Sequence, residues 1–342
     1  MKKVITIEDV AKLSGVSRAT VGRVIGNYGS VSEKSRQRVL EAIEQLNYKP
    51  NIIAQGMRGN STKTIAVVLG DVKNNYCNAL VYVVEKEAQK RGYSVIICNT
   101  RENVGQEMMH IQNMRNRKVD GIILMSAFTD EKQIPENGRE LYEGSEPIVF
   151  VDRMIQGISG DIVVSNNEEI SYEATMHLLK LGHRHIGVIA TVNYSTIQER
   201  IRGYERALKE YGISMDTDLI EKIENFDRGE AQIAAAKLLD EHPEVTAVYV
   251  LNNSLCGGVL LELKKRKLKV YQDISLLVWD DEEINELFDI TTVVQPIEEI
   301  GRDATACLFE QIKNGKEGKI PKMKTIEAKI IYRNSCRNIN DR

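Results

Sequence analysis

A chain of 342 residues exceeds what one hydrophobic core ordinarily organises, so at least two domains are expected. No apolar run approaches the roughly 18 to 20 residues that a membrane-spanning helix needs, and the opening MKKVITIEDV places acids where a secretory leader needs an apolar core, so the chain reads as cytosolic and without a membrane partner. The net charge of −3 hides an asymmetry: residues 1–60 carry +5 and residues 61–342 carry −8, which fits phosphate contacts confined to a basic head.

The stretch Thr6 to Asn27, TIEDVAKLSGVSRATVGRVIGN, describes two short helices joined by a tight turn. Thr6 is a candidate N-cap with Asp9 in the first turn, and Val10 and Leu13 form an apolar stripe. Gly15 supplies the turn, and Ser17 caps a second helix from Arg18. Val21, Val24 and Ile25 face inward there, leaving Arg18, Ala19, Gly22 and Arg23 outward. A Gly-containing turn before a helix with Arg on its open face fits a helix-turn-helix that lays its second helix in the major groove. An ordinary helical hairpin with a solvated basic face is the alternative at this point.

Ser32 caps a predicted third helix, Glu33 to Leu46, whose Val39, Ile43 and Leu46 close a core against Val10, Val21 and Val24; Pro50 is expected to end it. Asn51 then precedes a segment, Ile52 to Met57, too short to hold helical form alone. It reads as a linker that folds on binding.

TIEDVAKLSGVSRATVGRVIGN followed by VSEKSRQRVLEAIEQLNYKPNIIAQGMRG resembles the head and hinge of the lactose-repressor (LacI/GalR) family of bacterial transcription regulators. The resemblance implies DNA contacts from Thr6, Ser17, Arg18, Ala19, Thr20 and Arg23 in the head and from Asn51, Ala54 and Met57 in the hinge. Arg suits bidentate contact with guanine, Ala at most a thymine methyl, and Met57 stands where the family inserts an apolar wedge into the minor groove. The chain departs from the family at Gly22 and Gly26, where a hydroxyl and an amide are usual. This predicts heavier reliance on Arg18, Arg23 and backbone contacts.

From Thr64 short apolar runs alternate with helical patterns. IAVVLG (65–70), YSVIICN (93–99), GIILM (121–125), PIVFV (147–151) and IVVS (162–165) are candidate strands, with helices near 78–91 and 106–117. A second series follows: IGVIA (186–190), AVYVLN (247–252), ISLLVWD (274–280) and TTVVQP (291–296), with helices near 196–211, 229–241 and 255–267, and a last strand IIYR (330–333). Aligning Ile65 with Ile186 superposes strand, polar loop, helix and a Gly-containing exit, so the body is expected to be two similar α/β lobes with parallel sheets. The resemblance implies a periplasmic-binding-protein-like body closing on a ligand by hinge motion. The expected organisation is a head (1–49), a hinge (50–61) and a body (62–342), with one lobe at 62–165 and 296–323 and the other at 166–295 and 324–342.

Effector contacts carried over from the family fall on strand-end loops, at Tyr76, Arg200, Phe226, Asn252, Asn253, Asp280 and Gln295. Donors, acceptors and aromatic faces (Trp279 counted among them) suit a sugar ring or a nucleobase. A carboxylate that the family often has at the position of Asn253 is missing. Cys77, Cys98, Cys256, Cys307 and Cys336 are scattered without a C-x-x-C pair and read as reduced packing residues. His177, His183 and His185 lack the spaced partners of a metal site. The motifs G-x-x-x-x-G-K-[ST], H-E-x-x-H, G-x-S-x-G and G-x-G-x-x-G are absent, so no catalysis and no cofactor are expected. The expected protein is a homodimeric repressor on a palindromic double-stranded operator, with a carbohydrate-like small-molecule effector. Activation, control by a nucleoside or a protein partner, and a small-molecule binding protein or enzyme without a DNA role are the alternatives.

Overall fold

The computed structural model describes residues 5–26, 28–48, 61–136, 138–144, 146–191, 194–315 and 320–340. The chain forms two compact units, Met1–Lys63 and Thr64–Arg342.

In the first unit, α1 (Ile7–Ser14) opens with a capping box: Thr6 Oγ1 accepts from the Asp9 amide while Asp9 Oδ2 accepts from the Thr6 amide at 2.9 Å. Gly15 closes it in the left-handed conformation at φ 63°. Ser17 Oγ accepts from the Thr20 amide at 3.1 Å, capping α2 (Arg18–Gly26), and Ser32 caps α3 (Glu33–Gln45). Val10, Val21, Val24, Val39 and Ala42 form the buried core.

One expectation fails here, and the end expected for the third helix has another cause. Leu13 is 46% exposed, because at 3.6 residues per turn it lies roughly 100° off the Ile7–Val10–Ser14 stripe; Ser14 takes the inward place, its hydroxyl donating to Val10 O at 2.7 Å. The third helix ends at Gln45, before Pro50. Asn47 turns left-handed at φ 48°, its amide donating to Glu44 O at 3.0 Å and that of Tyr48 to Ile43 O at 2.9 Å, the paired bonds of a Schellman motif.

The body holds two sheets of the same strand order, each with six strands among the described residues. The first runs β11 (Met323–Ile326), β5 (Asp161–Ser165), β4 (Ile148–Val151), β3 (Gly121–Leu124), β1 (Thr64–Leu69), β2 (Ser94–Asn99). The second runs β12 (Lys329–Ile331), β10 (Thr291–Val294), β9 (Ser275–Trp279), β8 (Ala247–Val250), β6 (Ile186–Thr191), β7 (Ile220–Ile223). β10 and β12 pair antiparallel, and the other described pairs are parallel. The central strands are buried on both faces, as the unbroken Val, Ile and Leu runs require once helices cover both sides.

Helices α4 (Asn75–Gln89), α5 (Val104–Asn116), α6 (Glu140–Glu143) and α12 (Ile297–Asn314) accompany the first sheet. Helices α7 (Asn167–Lys180), α8 (Ser195–Glu210), α9 (Arg228–Glu241), α10 (Asn253–Lys265) and α11 (Glu283–Leu287) accompany the second. The chain crosses between lobes after β5, after β10 and after β11. The expected boundary at 323/324 is therefore early: residues 323–326 form β11, in register with Ile162–Ser165 of the first sheet, and the crossing follows Ile326. β11 is an edge strand exposed at its first three positions, so no apolar run marks it. β7, with one buried residue, was missed for the same reason.

Helices α7 and α8 approach too closely for a side chain at Gly203, where a β-carbon would meet Glu168 O at 2.2 Å and Tyr172 N at 2.8 Å. Gly203→Ala is expected to destabilise the body by about 1–3 kcal/mol despite alanine's better helix propensity. Urea unfolding checks this, and a variant as stable as its parent rejects the close packing.

Candidate effector cleft and DNA-reading head

On the head, Thr6, Ser17, Arg18, Ala19 and Arg23 are exposed and Thr20 is half-buried. Capping commits the Thr6 and Ser17 side chains to the helix starts, which fixes where the outer face of α2 points. Arg18 Nη1 meets Glu8 Oε1 at 3.1 Å with both side chains more than half exposed. Such a pair contributes about 0–1 kcal/mol, small enough for DNA to displace. Asn51, Ala54 and Met57 lie outside the described residues.

In the body, the carboxyl ends of the strands converge on a small cavity. Tyr76, Arg200, Phe226, Asn252, Asp280 and Gln295 line it together with Asn74, Asp152, Arg153, Tyr194 and Thr196. Asn253 does not join them. It sits on the rim, donating to Glu282 Oε1 at 2.5 Å and accepting from Asn74 Nδ2 of the other lobe at 3.4 Å. Asn252 caps α10, its Oδ1 accepting from the Ser254 amide at 3.0 Å.

Arg200 is buried at the centre. Its Nη1 donates to Leu251 O at 2.7 Å, its Nε to Asn167 Oδ1 at 3.1 Å, and its guanidinium lies 3.5 Å above the Trp279 ring. Trp279 is wholly buried, its indole N–H donating to Tyr249 Oη at 2.7 Å. It forms the floor under Arg200 and is no ligand face, contrary to expectation. Burial lowers the Arg200 pKa, against the opposing pull of Asp280 and Asp152.

Those two aspartates occupy equivalent places in the repeat. Asp152 follows β4 at φ 61° and Asp280 follows β9 at φ 62°; their amides donate to Val163 O (3.0 Å) and Val293 O (2.8 Å) on the neighbouring strands. The left-handed turn, which Asp tolerates better than most residues, turns each carboxylate into the cleft. Burial pushes Asp280 up to about 6 against the pull of Arg200 and Gln295, and raises Asp152 against Arg153 and Arg200. Gln295 donates to Asp280 Oδ1 at 2.8 Å and accepts from Ser165 Oγ at 2.9 Å, joining the lobes. The Tyr76 hydroxyl is buried without a well-formed hydrogen bond, close to both carboxylates, and burial raises its pKa well above the usual value.

Sequence reasoning missed Asp152, Arg153, Tyr194 and Glu102. Arg153 donates to both Glu102 oxygens, at 2.6 and 3.2 Å, and lies over Tyr194. PIVFVD and SLLVWD correspond in the same internal repeat as Ile65 and Ile186, which makes Asp152 the counterpart of Asp280. His183 is spent inside the second lobe, Nδ1 on Thr246 Oγ1 at 2.8 Å and Nε2 on Ser275 Oγ at 2.9 Å, and burial lowers it to about 4. No group of metal-holding residues occurs among the described residues. The cysteines are free thiols, and burial raises the pKa of each, keeping them protonated. No helix among the described residues is long and apolar enough to cross a membrane.

A helix-turn-helix head on a chain whose two-lobed body converges buried charges in a cleft defines a ligand-responsive DNA-binding regulator. Residues 62–333 match the family described as periplasmic binding proteins and sugar binding domain of LacI family, and residues 6–51 match bacterial regulatory proteins, lacI family. An HTH-type transcriptional repressor PurR of Vibrio campbellii (strain ATCC BAA-1116) is 31% identical over 340 residues, 98% of this chain and 99% of that protein. The PurR of Aliivibrio salmonicida (strain LFI1238) is 32% identical over 314 residues, 90% and 92% of the two chains. Among solved structures, the transcriptional regulator CelR–cellobiose complex is 27% identical with TM-score 0.71 over 97% of this chain and 99% of that one. The Lac repressor dimer bound to operator and the anti-inducer ONPF, at 23% identity, shares the fold with TM-score 0.83 over 98% and 100%. The chain belongs to the LacI family of bacterial regulatory proteins. It is a DNA-binding transcriptional repressor with a ligand-binding body.

The raised Asp280 carboxyl has a sign that can be checked. Between about pH 4 and about 6 the folded chain holds a proton there that the unfolded chain releases, so this group makes the ligand-free protein less stable as pH rises through that window. Asp280→Asn, which keeps an amide suited to the left-handed turn, is expected to flatten that part of the slope. Parallel urea titrations from pH 4 to 7 compare the two, and identical slopes reject the assignment.

Proposed function

We propose that this repressor binds a near-palindromic operator as a homodimer in the cytoplasm and is controlled by a carbohydrate-like effector held between the lobes by Tyr76, Asp152, Arg200, Asp280 and Gln295. The observation that carries the reading is the meeting of Asp152 from one lobe with Arg200 and Asp280 from the other around the buried Tyr76 hydroxyl. Paired acceptors beside a planar donor suit vicinal hydroxyls, and groups supplied by both lobes make closure depend on the ligand. The effector shifts DNA affinity only by its differential binding to the open and closed bodies. Arg18, Ala19, Arg23, Thr6, Ser17 and Thr20 of the head and Asn51, Ala54 and Met57 of a hinge at 50–61 make the DNA contacts, and no residue does catalysis. The solved relative in complex with cellobiose supports a sugar-type ligand.

A second reading, a nucleobase or nucleoside, is favoured by the stacked rings of Tyr194 and Phe226.

A thermal-shift panel of neutral sugars, sugar phosphates and nucleosides is expected to return at least one compound that raises the melting temperature of the full chain. Arg200→Ala should abolish that shift; if it persists, or if a broad panel returns nothing, the cleft is not the control site. For the head, Arg23→Ala is expected to cost about 1–3 kcal/mol on operator DNA and much less on random DNA. Binding titrations on both DNAs decide it, an unchanged specificity ratio rejecting base reading by Arg23. Retention of operator affinity after deletion of residues 1–60 would reject the DNA role of the head.

A further inference from the structure

The Tyr194 and Phe226 rings lie 22° from parallel with centroids 5.8 Å apart, and both line the cleft. A platform of this kind is what a planar heterocycle stacks on. Here it is already roofed. The Arg153 guanidinium carbon lies 4.0 Å from the Tyr194 centroid and 5.4 Å from that of Phe226.

The guanidinium is built into that position from several sides. Its Nη1 and Nη2 donate to the two oxygens of Glu102 at 2.6 and 3.2 Å, and its Nε faces Asp152 Oδ2 at 3.5 Å. Glu102 is held in turn: Arg101 and Glu102 are successive left-handed residues at φ 54° and 56°, and the Glu102 amide donates to Gly70 O at 3.1 Å. Its carboxylate lies against Gly70, where an added β-carbon would fall 2.0 Å from Oε1. An aromatic ligand would have to evict a buried, doubly paired cation and leave Glu102 uncompensated, and stranding one partner of such a pair is costly. A hydroxylated ring can instead form hydrogen bonds with Tyr76, Arg200 and Asp280, which line the same cavity and make no contact with the stacked rings' roof.

We infer that Arg153 sets the ligand class of the cleft: by covering the Tyr194–Phe226 platform it makes the site select a hydroxylated, non-aromatic effector and reject a planar base. The inference rests on the cleft being the effector site. It decides between the two ligand readings in favour of the carbohydrate-like one. Arg153 acts as a specificity determinant by occupying space, since its polar edge is spent on carboxylates.

The test is calorimetry on the full chain and on a Glu102→Gln/Arg153→Ala double variant, which removes both charges together so that neither is stranded. The probes are hypoxanthine, guanine and adenosine on one side and D-glucose, D-ribose and cellobiose on the other. The parent is expected to bind none of the bases, and the double variant to gain base affinity by at least about tenfold, the worth of a new stacking contact. That gain is a reversal of ligand preference, which mere destabilisation would not produce. Arg153→Lys, which keeps the charge but loses the planar cover, should fall between the two. Base binding by the parent as tight as by the variant overturns the inference while leaving the cleft reading intact. A variant with a native near-ultraviolet spectrum and no gain for any base, in a protein whose parent binds a sugar, overturns it as well. Silence from every probe with both proteins would instead count against the cleft as effector site, and against this inference with it.

Discussion

A guanidinium removed from water must be given partners, and Arg200 receives them from several parts of the body at once. Asn167 at the start of α7, the Leu251 carbonyl after β8, the Trp279 face at the end of β9 and the carboxylates of Asp152 and Asp280 all close on it. Removing a partner from such a buried charge costs several kcal/mol. The strand ends, the first crossover and the indole are therefore held in one arrangement. Loss of water raises both aspartates, against the pull of Arg200 on each and of Arg153 on Asp152.

The internal repeat explains how two lobes produce one site. Identical strand order puts β4 and β9 at the same place in each sheet, so a strand ending in Asp at a left-handed turn delivers a carboxylate in each lobe. The repeat is broken where the chain crosses. The Asn166 amide donates to Ile326 O at 3.1 Å and the Ala328 amide to Asn166 Oδ1 at 2.8 Å, lacing two crossings together. Such short, hydrogen-bonded links let lobes pivot while keeping each sheet intact. Asn74 with Asn253 and Ser254, and Ser165 with Gln295, tie the lobes across the cleft by neutral side-chain hydrogen bonds, contacts weak enough to exchange for ligand.

Much of this was legible in the chain. The head followed from caps and one glycine, because a short helix is decided locally by who satisfies its first amides. The buried strands followed from unbroken apolar runs. Of the edge strands, β2 and β12 carry apolar runs that mark them, whereas β7 and β11 bury one residue each and carry no such signal. Leu13 looked like core from composition, and helical phase put it outside. For the cleft, Tyr76, Arg200, Phe226, Asn252, Asp280 and Gln295 were gathered from family resemblance and do line one cavity, whereas Asn253 is turned to the rim and Trp279 to the floor.

By itself, then, the sequence determined the class of each part: a basic three-helix head, a doubled α/β body, strand-end loops rich in donors and acceptors, and membership of one regulator family. The first three rest on spacing, capping and burial patterns that neighbours along the chain decide; the family followed from the resemblance of the head and hinge. Only the tertiary structure decided which polar residues face one another. It brought Arg153 from one lobe over Tyr194 and Phe226 from the other and set Glu102 against Gly70, through residues far apart in the chain. Pairings of that kind depend on where strand ends and crossovers lie in space, which no local pattern records.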